Sequence, residues 1–216
     1  MSAQPFSILN SQIGALTLLQ VVGTGASATV YQSRSHSGKE YAIKAVRVGK
    51  SRVKHRNRVR KEILLHSLVS SHPNIVPLLD VFLDYSSAEN TWWPTYTYLI
   101  LPYATSGDLH TLIVKHKLYL NKPTLLQSVF LQVLRAVQYC HSMGIFHRDI
   151  KSENILAFKN GTSVMLADFG LATTDTKSQE WAVGTSSHMS PGAHLCKVAC
   201  VFIKHSVRMP RWFVPT

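Results

Sequence analysis

Apolar positions in the first third of the chain come in short runs broken by small residues. Leu16-Thr17-Leu18-Leu19-Gln20-Val21-Val22 stops at Gly23-Thr24-Gly25. Thr29-Val30-Tyr31-Gln32 runs to a turn at Ser37-Gly38, and Tyr41-Ala42-Ile43-Lys44-Ala45-Val46 follows. β-Branched and aromatic residues between glycine and serine punctuation predict a meander of antiparallel strands. The period then changes. After a basic stretch, Val59, Ile63, Leu64, Leu68 and Val69 fall at helical spacing and predict one buried helix face. That helix should stop before His72-Pro73, since a residue preceding proline avoids helical dihedrals.

Two more strands are predicted, Val76 to Phe82 and Tyr96 to Leu101. A long polar connection, Asp84 to Pro94, carries Trp92-Trp93 between them. From Gly107 the pattern is helical. Asp108 to Lys115 reads as a short helix, and Pro123 suits the first turn of a longer one. Leu126, Phe130, Val133, Val137 and Cys140 mark the buried face of the latter. Strands with one helix, followed by mostly helix, indicate an α+β fold in two lobes.

Composition narrows the class. The chain has 216 residues, 45% of them hydrophobic, enough for one sizeable domain or two small lobes. Its 23 Lys and Arg against 11 Asp and Glu give a net charge of +12, which favours anionic partners. Cys140, Cys196 and Cys200 form no even framework, and the Cys196–Cys200 pair has no second metal-ligand pair at zinc spacing, so a reducing compartment is expected. The N-terminus does not read as a secretory signal, and no apolar run reaches the roughly 18 residues of a spanning helix. The expectation is a soluble intracellular protein, cytoplasmic and/or nuclear, without a membrane partner. Oligomeric state is not readable.

The acids are few, so their positions carry information. Residues 147 to 154 read HRDIKSEN, charged within apolar flanks, and Asp168-Phe169-Gly170 comes fourteen residues after Asn154. Upstream, Gly23-Thr24-Gly25-Ala26-Ser27-Ala28-Thr29-Val30 sits between two strands. Glycines there let backbone N–H groups approach a phosphate. Lys44 lies on a strand 21 residues past Gly23, and Glu62 is the first acid after it. Each feature has a plainer reading: a simple turn, a solvated lysine, an exposed helical carboxylate. Their order and spacing together are what tell.

His147-Arg148-Asp149, Lys151 and Asn154, followed by Asp168-Phe169-Gly170 and preceded by the glycine loop, Lys44 and Glu62, resemble the protein kinase signature. Lys151 is similar to the Ser/Thr type, in a style like that of fungal kinases. The resemblance covers about residues 16 to 191. It implies a bilobal kinase fold, with residues 1–15 as an N-terminal extension, an N-lobe at 16–103, a partial C-lobe at 104–192 and a tail at 193–216. It implies transfer of the γ-phosphate of ATP, with Mg2+, to serine or threonine hydroxyls of a protein substrate. Asn154 and Asp168 would be the magnesium ligands, hard oxygen donors. Lys44, aimed by Glu62, would contact the α- and β-phosphates. Asp149 would orient the substrate hydroxyl and take its proton, and Lys151 would neutralise the γ-phosphate. Glu153 receives no role.

By the same resemblance Val22, Gly23, Thr24, Gly25, Ala26, Ser27 and Ala28 would cover the nucleotide, with Ala28 where a third glycine is usual. A positive φ there would cost alanine about 1 kcal/mol. Leu101 takes the gatekeeper position, and Pro102, Tyr103 and Ala104 the hinge, where Pro102 has no N–H to give. Val30, Ala42 and Leu156 would sandwich the adenine, and Asp108 would take the ribose hydroxyls. Thr173, Thr174, Thr176 and Ser178 are the candidates for activation-loop phosphorylation.

After Asp168 the match decays. Ser190-Pro191-Gly192 stands where kinases read toward A-P-E, and no Asp or Glu follows Glu180. The expectation for residues 193–216 is an atypical tail, read from an intron or a shifted frame, on a product truncated after the activation segment. The alternative function is therefore a catalytically weak or inactive nucleotide-binding kinase fragment. A third reading is a nucleic-acid site at Lys44 to Lys61, where nine Lys and Arg fall in eighteen residues. It is disfavoured because base-stacking aromatics are not interleaved there.

Overall fold

The computed structural model describes residues 7–25, 28–48, 53–85 and 94–175. The chain divides into two compact units, one of residues 1–71 and 76–103, the other of residues 72–75 and 104–216.

The first unit is a six-stranded antiparallel sheet with one helix. Its strands are β1 (Ser7–Ser11), β2 (Gly14–Thr24), β3 (Ala28–Ser35), β4 (Glu40–Arg47), β5 (Asp80–Asp84) and β6 (Tyr96–Pro102). They lie in the order β1-β2-β3-β4-β6-β5. The meander β2-β3-β4 follows the β-branched and aromatic runs of the sequence, and Gly38, at φ +84°, lies in the β3–β4 turn. β1 was not anticipated: the N-terminal extension turns at Gly14 and pairs with β2. The Asp80 carboxylate, on β5 at the other edge, accepts the Gln12 N–H at 2.7 Å.

β5 starts four residues later than the sequence suggests. Pro77 has no N–H, the Val76 carbonyl is taken by His66 Nε2 at 2.6 Å, and the Leu78 N–H goes to Ser70 Oγ at 3.0 Å. Backbone groups already bonded elsewhere are not free for a ladder. One sheet face carries a core of Leu16, Tyr41, Ile43, Ala45, Tyr98 and Ile100. On the other, Val46, Val48 and Leu99 pack with Val59 and Ile63 of the helix.

That helix, α1 (Val53–Val69), buries Val59, Glu62, Leu65, His66 and Val69. The expected face included Leu64 and Leu68, yet these are exposed. The buried stripe is rotated because two of its members, Glu62 and His66, are polar. A purely hydrophobic count passes over them.

The second unit contains α2 (Leu109–Val114), α3 (Pro123–Ser142) and a hairpin of β7 (Ile155–Phe158) with β8 (Ser163–Leu166). Pro123 stands in the first turn of α3, as its missing N–H allows. The buried face of α3 is Val129, Val133, Ala136, Val137 and Cys140. Val129 and Ala136 replace the expected Leu126 and Phe130, which are half-buried. Burial pushes the Cys140 thiol up to about 12, so this cysteine behaves as a small apolar core residue. Gln132 of α3 accepts from Asn74 and from the Val164 N–H, fastening the 72–75 segment and β8 to one helix. No helix among the described residues is long and apolar enough to cross a membrane.

Candidate active site

In the first unit, cross-strand pairing sets the site. Gly23 stands opposite Val30, Val30 opposite Lys44, and Lys44 opposite Leu99. Directly paired residues share a face, so one row across four strands runs from the glycine turn through Lys44 to Leu99. The next row places Ala42 opposite Leu101, two residues from Lys44 and hence on the same face. Val22, Gly23 and Thr24 end β2, and the Gly25 N–H bonds the Ala28 carbonyl at 2.8 Å. Ala28 opens β3 opposite Val46 and is not among the described residues with positive φ. The strain expected of an alanine at that place is therefore absent. Ala26 and Ser27 lie outside the described residues.

The Lys44 Nζ meets Glu62 Oε1 at 2.6 Å, with both side chains largely buried. Val59 and Ile63 anchor α1 on the sheet and carry Glu62, between them in sequence, to the lysine. A buried carboxylate and ammonium are tolerable only as a pair.

In the second unit, HRDIKSEN folds into a compact loop ending in a 3-10 turn at Ser152–Asn154. The Asn154 carboxamide donates through Nδ2 to the Asp149 carbonyl at 2.8 Å and to Asp149 Oδ2 at 2.9 Å. Lys151 Nζ lies 2.9 Å from the same carboxylate oxygen. Asp149 is buried, at 6% exposure. A buried carboxylate with a carboxamide and an ammonium on it is held in one direction.

Asp168 is placed through its neighbour. The Ala167 N–H donates to the Asn154 carbonyl at 2.8 Å, and the Ala167 carbonyl accepts from His147 Nε2 at 3.0 Å. The ring of buried His147 also stacks edge-on to Phe169, with centroids 4.8 Å apart. A carbonyl only accepts and an amide only donates, while the Asp149 N–H points at His147 Nδ1 at 3.3 Å. The imidazole is therefore the neutral Nε2–H tautomer. Burial, opposed by the Ala167 hydrogen bond, lowers its pKa below the ordinary value. Asp168 itself takes φ +64° and is exposed, next to buried Phe169.

The donor chemistry fits a hard divalent ion. With Nδ2 given to Asp149, Asn154 still has Oδ1 as an oxygen acceptor, and Asp168 adds an exposed carboxylate. Among the described residues no three His, Cys, Asp or Glu side chains converge. Two protein oxygens of this kind are what magnesium takes, its shell being completed with water and phosphate.

The remaining candidates fall on both sides of the division. Leu101 and Pro102 end β6, Tyr103 closes the first unit, and Ala104 opens that stretch of the second. Leu156 lies on β7, bridged to Asp108. Asp108 has a local task that the sequence reading missed. It caps α2, with Oδ1 accepting the Thr111 N–H at 2.8 Å and Oδ2 the Thr111 hydroxyl at 2.9 Å. The signal was present, as aspartate three residues before threonine at a helix start. Thr173 is buried and its hydroxyl donates to Asp175, a poor position for modification. Thr176, Ser178 and the 193–216 tail lie outside the described residues.

Known proteins resemble the chain over most of its length. Residues 16–194 match the family model for the protein kinase domain. The chain is 38% identical over 193 residues to the "Negative regulator of sexual conjugation and meiosis" of Schizosaccharomyces pombe, covering 88% of this chain and 39% of the relative. It is 33% identical over 179 residues to "CBL-interacting serine/threonine-protein kinase 2" of Arabidopsis thaliana, covering 80% and 36%. It is 32% identical over 184 residues to "Probable serine/threonine-protein kinase FMP48" of Saccharomyces cerevisiae, covering 81% and 47%. The chain thus spans less than half the length of these curated relatives. With the family model matched along most of its length, the chain belongs to the protein kinase family.

Proposed function

We propose that this chain carries the phosphoryl-transfer residues of a serine/threonine protein kinase, moving the γ-phosphate of ATP to protein serine or threonine hydroxyls with Mg2+. The observation that carries this reading is Asp149, a buried carboxylate fixed by Asn154 and Lys151 in one loop. Bound magnesium would neutralise phosphate charge, held by Asn154 Oδ1 and the Asp168 carboxylate.

The protein's own residues do the rest. Asp149 accepts the proton of the incoming hydroxyl and aligns it. Lys151, already on that carboxylate, brings positive charge to where the transferred group passes. Lys44, fixed by Glu62, binds the α- and β-phosphates, and the Gly23–Ala28 turn covers them. Leu101, Pro102, Tyr103 and Ala104 frame the adenine edge, Val30, Ala42 and Leu156 its faces, and Asp108 the ribose. Positioning and preorganised charge account for most of the barrier lowering in such reactions. The serine/threonine preference is supported by Lys151 and by two relatives that are named serine/threonine-protein kinases.

The test is mass spectrometry of a mixed Ser, Thr and Tyr peptide library incubated with the chain, ATP and magnesium. Phosphate on serine and threonine, dependent on magnesium, is expected. Phosphate confined to tyrosine would overturn the assignment.

A further inference from the structure

Ser152 follows the catalytic-loop lysine, and its side chain has no task in the reading above. It is buried, at 3% exposure, yet its hydroxyl is not idle. Ser152 Oγ lies 3.4 Å from His110 Nδ1 and donates to Glu153 Oε2 at 3.1 Å. Glu153 Oε1 is 4.0 Å from the same ring nitrogen. One hydroxyl proton and two lone pairs let serine accept from an imidazole N–H while donating to a carboxylate. The result is a directed chain, His110 to Ser152 to Glu153.

This chain joins two segments that matter. His110 is in the first turn of α2, two residues after its cap Asp108. Ser152 opens the 3-10 turn that ends at Asn154, and Lys151 before it supplies no side-chain cap. The backbones of the same two segments are stitched as well. The Ser106 N–H donates to Ala157 O at 3.1 Å, and the Ala157 N–H to Gly107 O at 2.8 Å. The His110–Ser152 contact adds a side-chain tie at the end of the loop nearest Asp149.

We propose that Ser152 is a positioning residue. Through the His110–Ser152–Glu153 chain it fixes the 3-10 turn, and so holds the Asn154 carboxamide on Asp149. The structural half stands on this geometry alone; the catalytic half rests on the kinase reading. A misplaced base costs rate rather than nucleotide affinity, because the fault concerns the reacting hydroxyl and not the bound ATP.

The experiment compares Ser152→Ala, Ser152→Thr and His110→Ala in the full chain. Hydrogen exchange reads the Asn154 amide, bonded to Lys151 O, and the Ile155 amide, bonded to Ser152 O. Steady-state transfer reads kcat and KM for ATP. Ser152→Ala is expected to speed exchange at these two amides and leave α3 unchanged. It should lower kcat about tenfold while KM for ATP moves less than about twofold. Threonine should restore both, and the double variant with His110→Ala should be no worse than the worse single. Unchanged exchange overturns the proposal, as does faster exchange with unchanged kcat in an active chain. A wild-type chain that binds ATP but transfers nothing sinks the kinase reading and the catalytic half with it. The exchange comparison then decides the structural half by itself.

Discussion

The Lys44 ammonium and the Glu62 carboxylate meet at 2.6 Å, 18 positions apart in sequence, one on a strand and one on the buried face of a helix. Neither belongs in a core alone. Lys44→Met leaves a buried carboxylate without its cation and should cost about 3 kcal/mol in urea unfolding. The double variant Lys44→Met/Glu62→Leu removes both charges and should recover most of that stability while leaving transfer abolished. A single variant as stable as wild type would show that the pair is not desolvated.

Asp108 separates a folding role from a binding role. Asp108→Ala removes the α2 cap and is expected to cost about 1 kcal/mol. Asn caps comparably, so Asp108→Asn should unfold at nearly the wild-type midpoint while weakening ATP binding if the carboxylate takes the ribose hydroxyls. Equal stability of the alanine and wild-type proteins would contradict the capping geometry.

Gly161 sits at φ +82°, where an added Cβ would run into the Leu118 side chain and come within 3.1 Å of Leu112. Its carbonyl also accepts from the buried Tyr119 hydroxyl at 2.8 Å. Gly161→Ala combines backbone strain with overpacking, for an expected loss of about 2–4 kcal/mol. An unshifted urea midpoint would show that the β7–β8 turn yields freely.

His147 gives a pH dependence with a definite sign. Burial lowers its folded pKa below the ordinary 6.5. The unfolded chain therefore binds the proton first, and the stabilisation is complete above 6.5 and lost as pH falls from there toward the folded value. His72, lowered by burial and by Arg135, acts in the same window, and protonation would displace the Asn74 N–H from its Nδ1. Imidazole carbon and nitrogen shifts should show the His147 ring keeping its neutral form to lower pH than an ordinary histidine. A ring that protonates at or above the ordinary value in the folded protein would refute the tautomer assignment.

The legible part of the fold was the part governed by local rules. Strands β2 to β4 and β6 follow their β-branched and aromatic runs, α3 begins at its proline, and the ends of α1 and α2 fall within a few residues of their signals. What the sequence concealed depends on partners distant in the chain. β1 exists because β2 offers an edge, and the β7–β8 hairpin hides in an apolar run with no alternation to betray it. The buried face of α1 turns on Glu62 and His66, polar residues whose burial makes sense only beside Lys44 and the Val76 carbonyl. The candidate site was readable as a list of residues because phosphoryl transfer demands few side-chain types in a fixed order. The contacts that hold those residues were not, since Ala167, Ser152 and His110 carry no motif of their own.

The most direct measurement is single-turnover transfer of the γ-phosphate from magnesium ATP to a serine peptide, comparing wild type with Asp149→Asn. The exchange keeps size but removes the charge and turns one of the two acceptor oxygens into a donor. The account predicts a fall of about a thousandfold in the transfer rate with ATP binding retained. Transfer at an undiminished rate from the Asp149→Asn protein would contradict it.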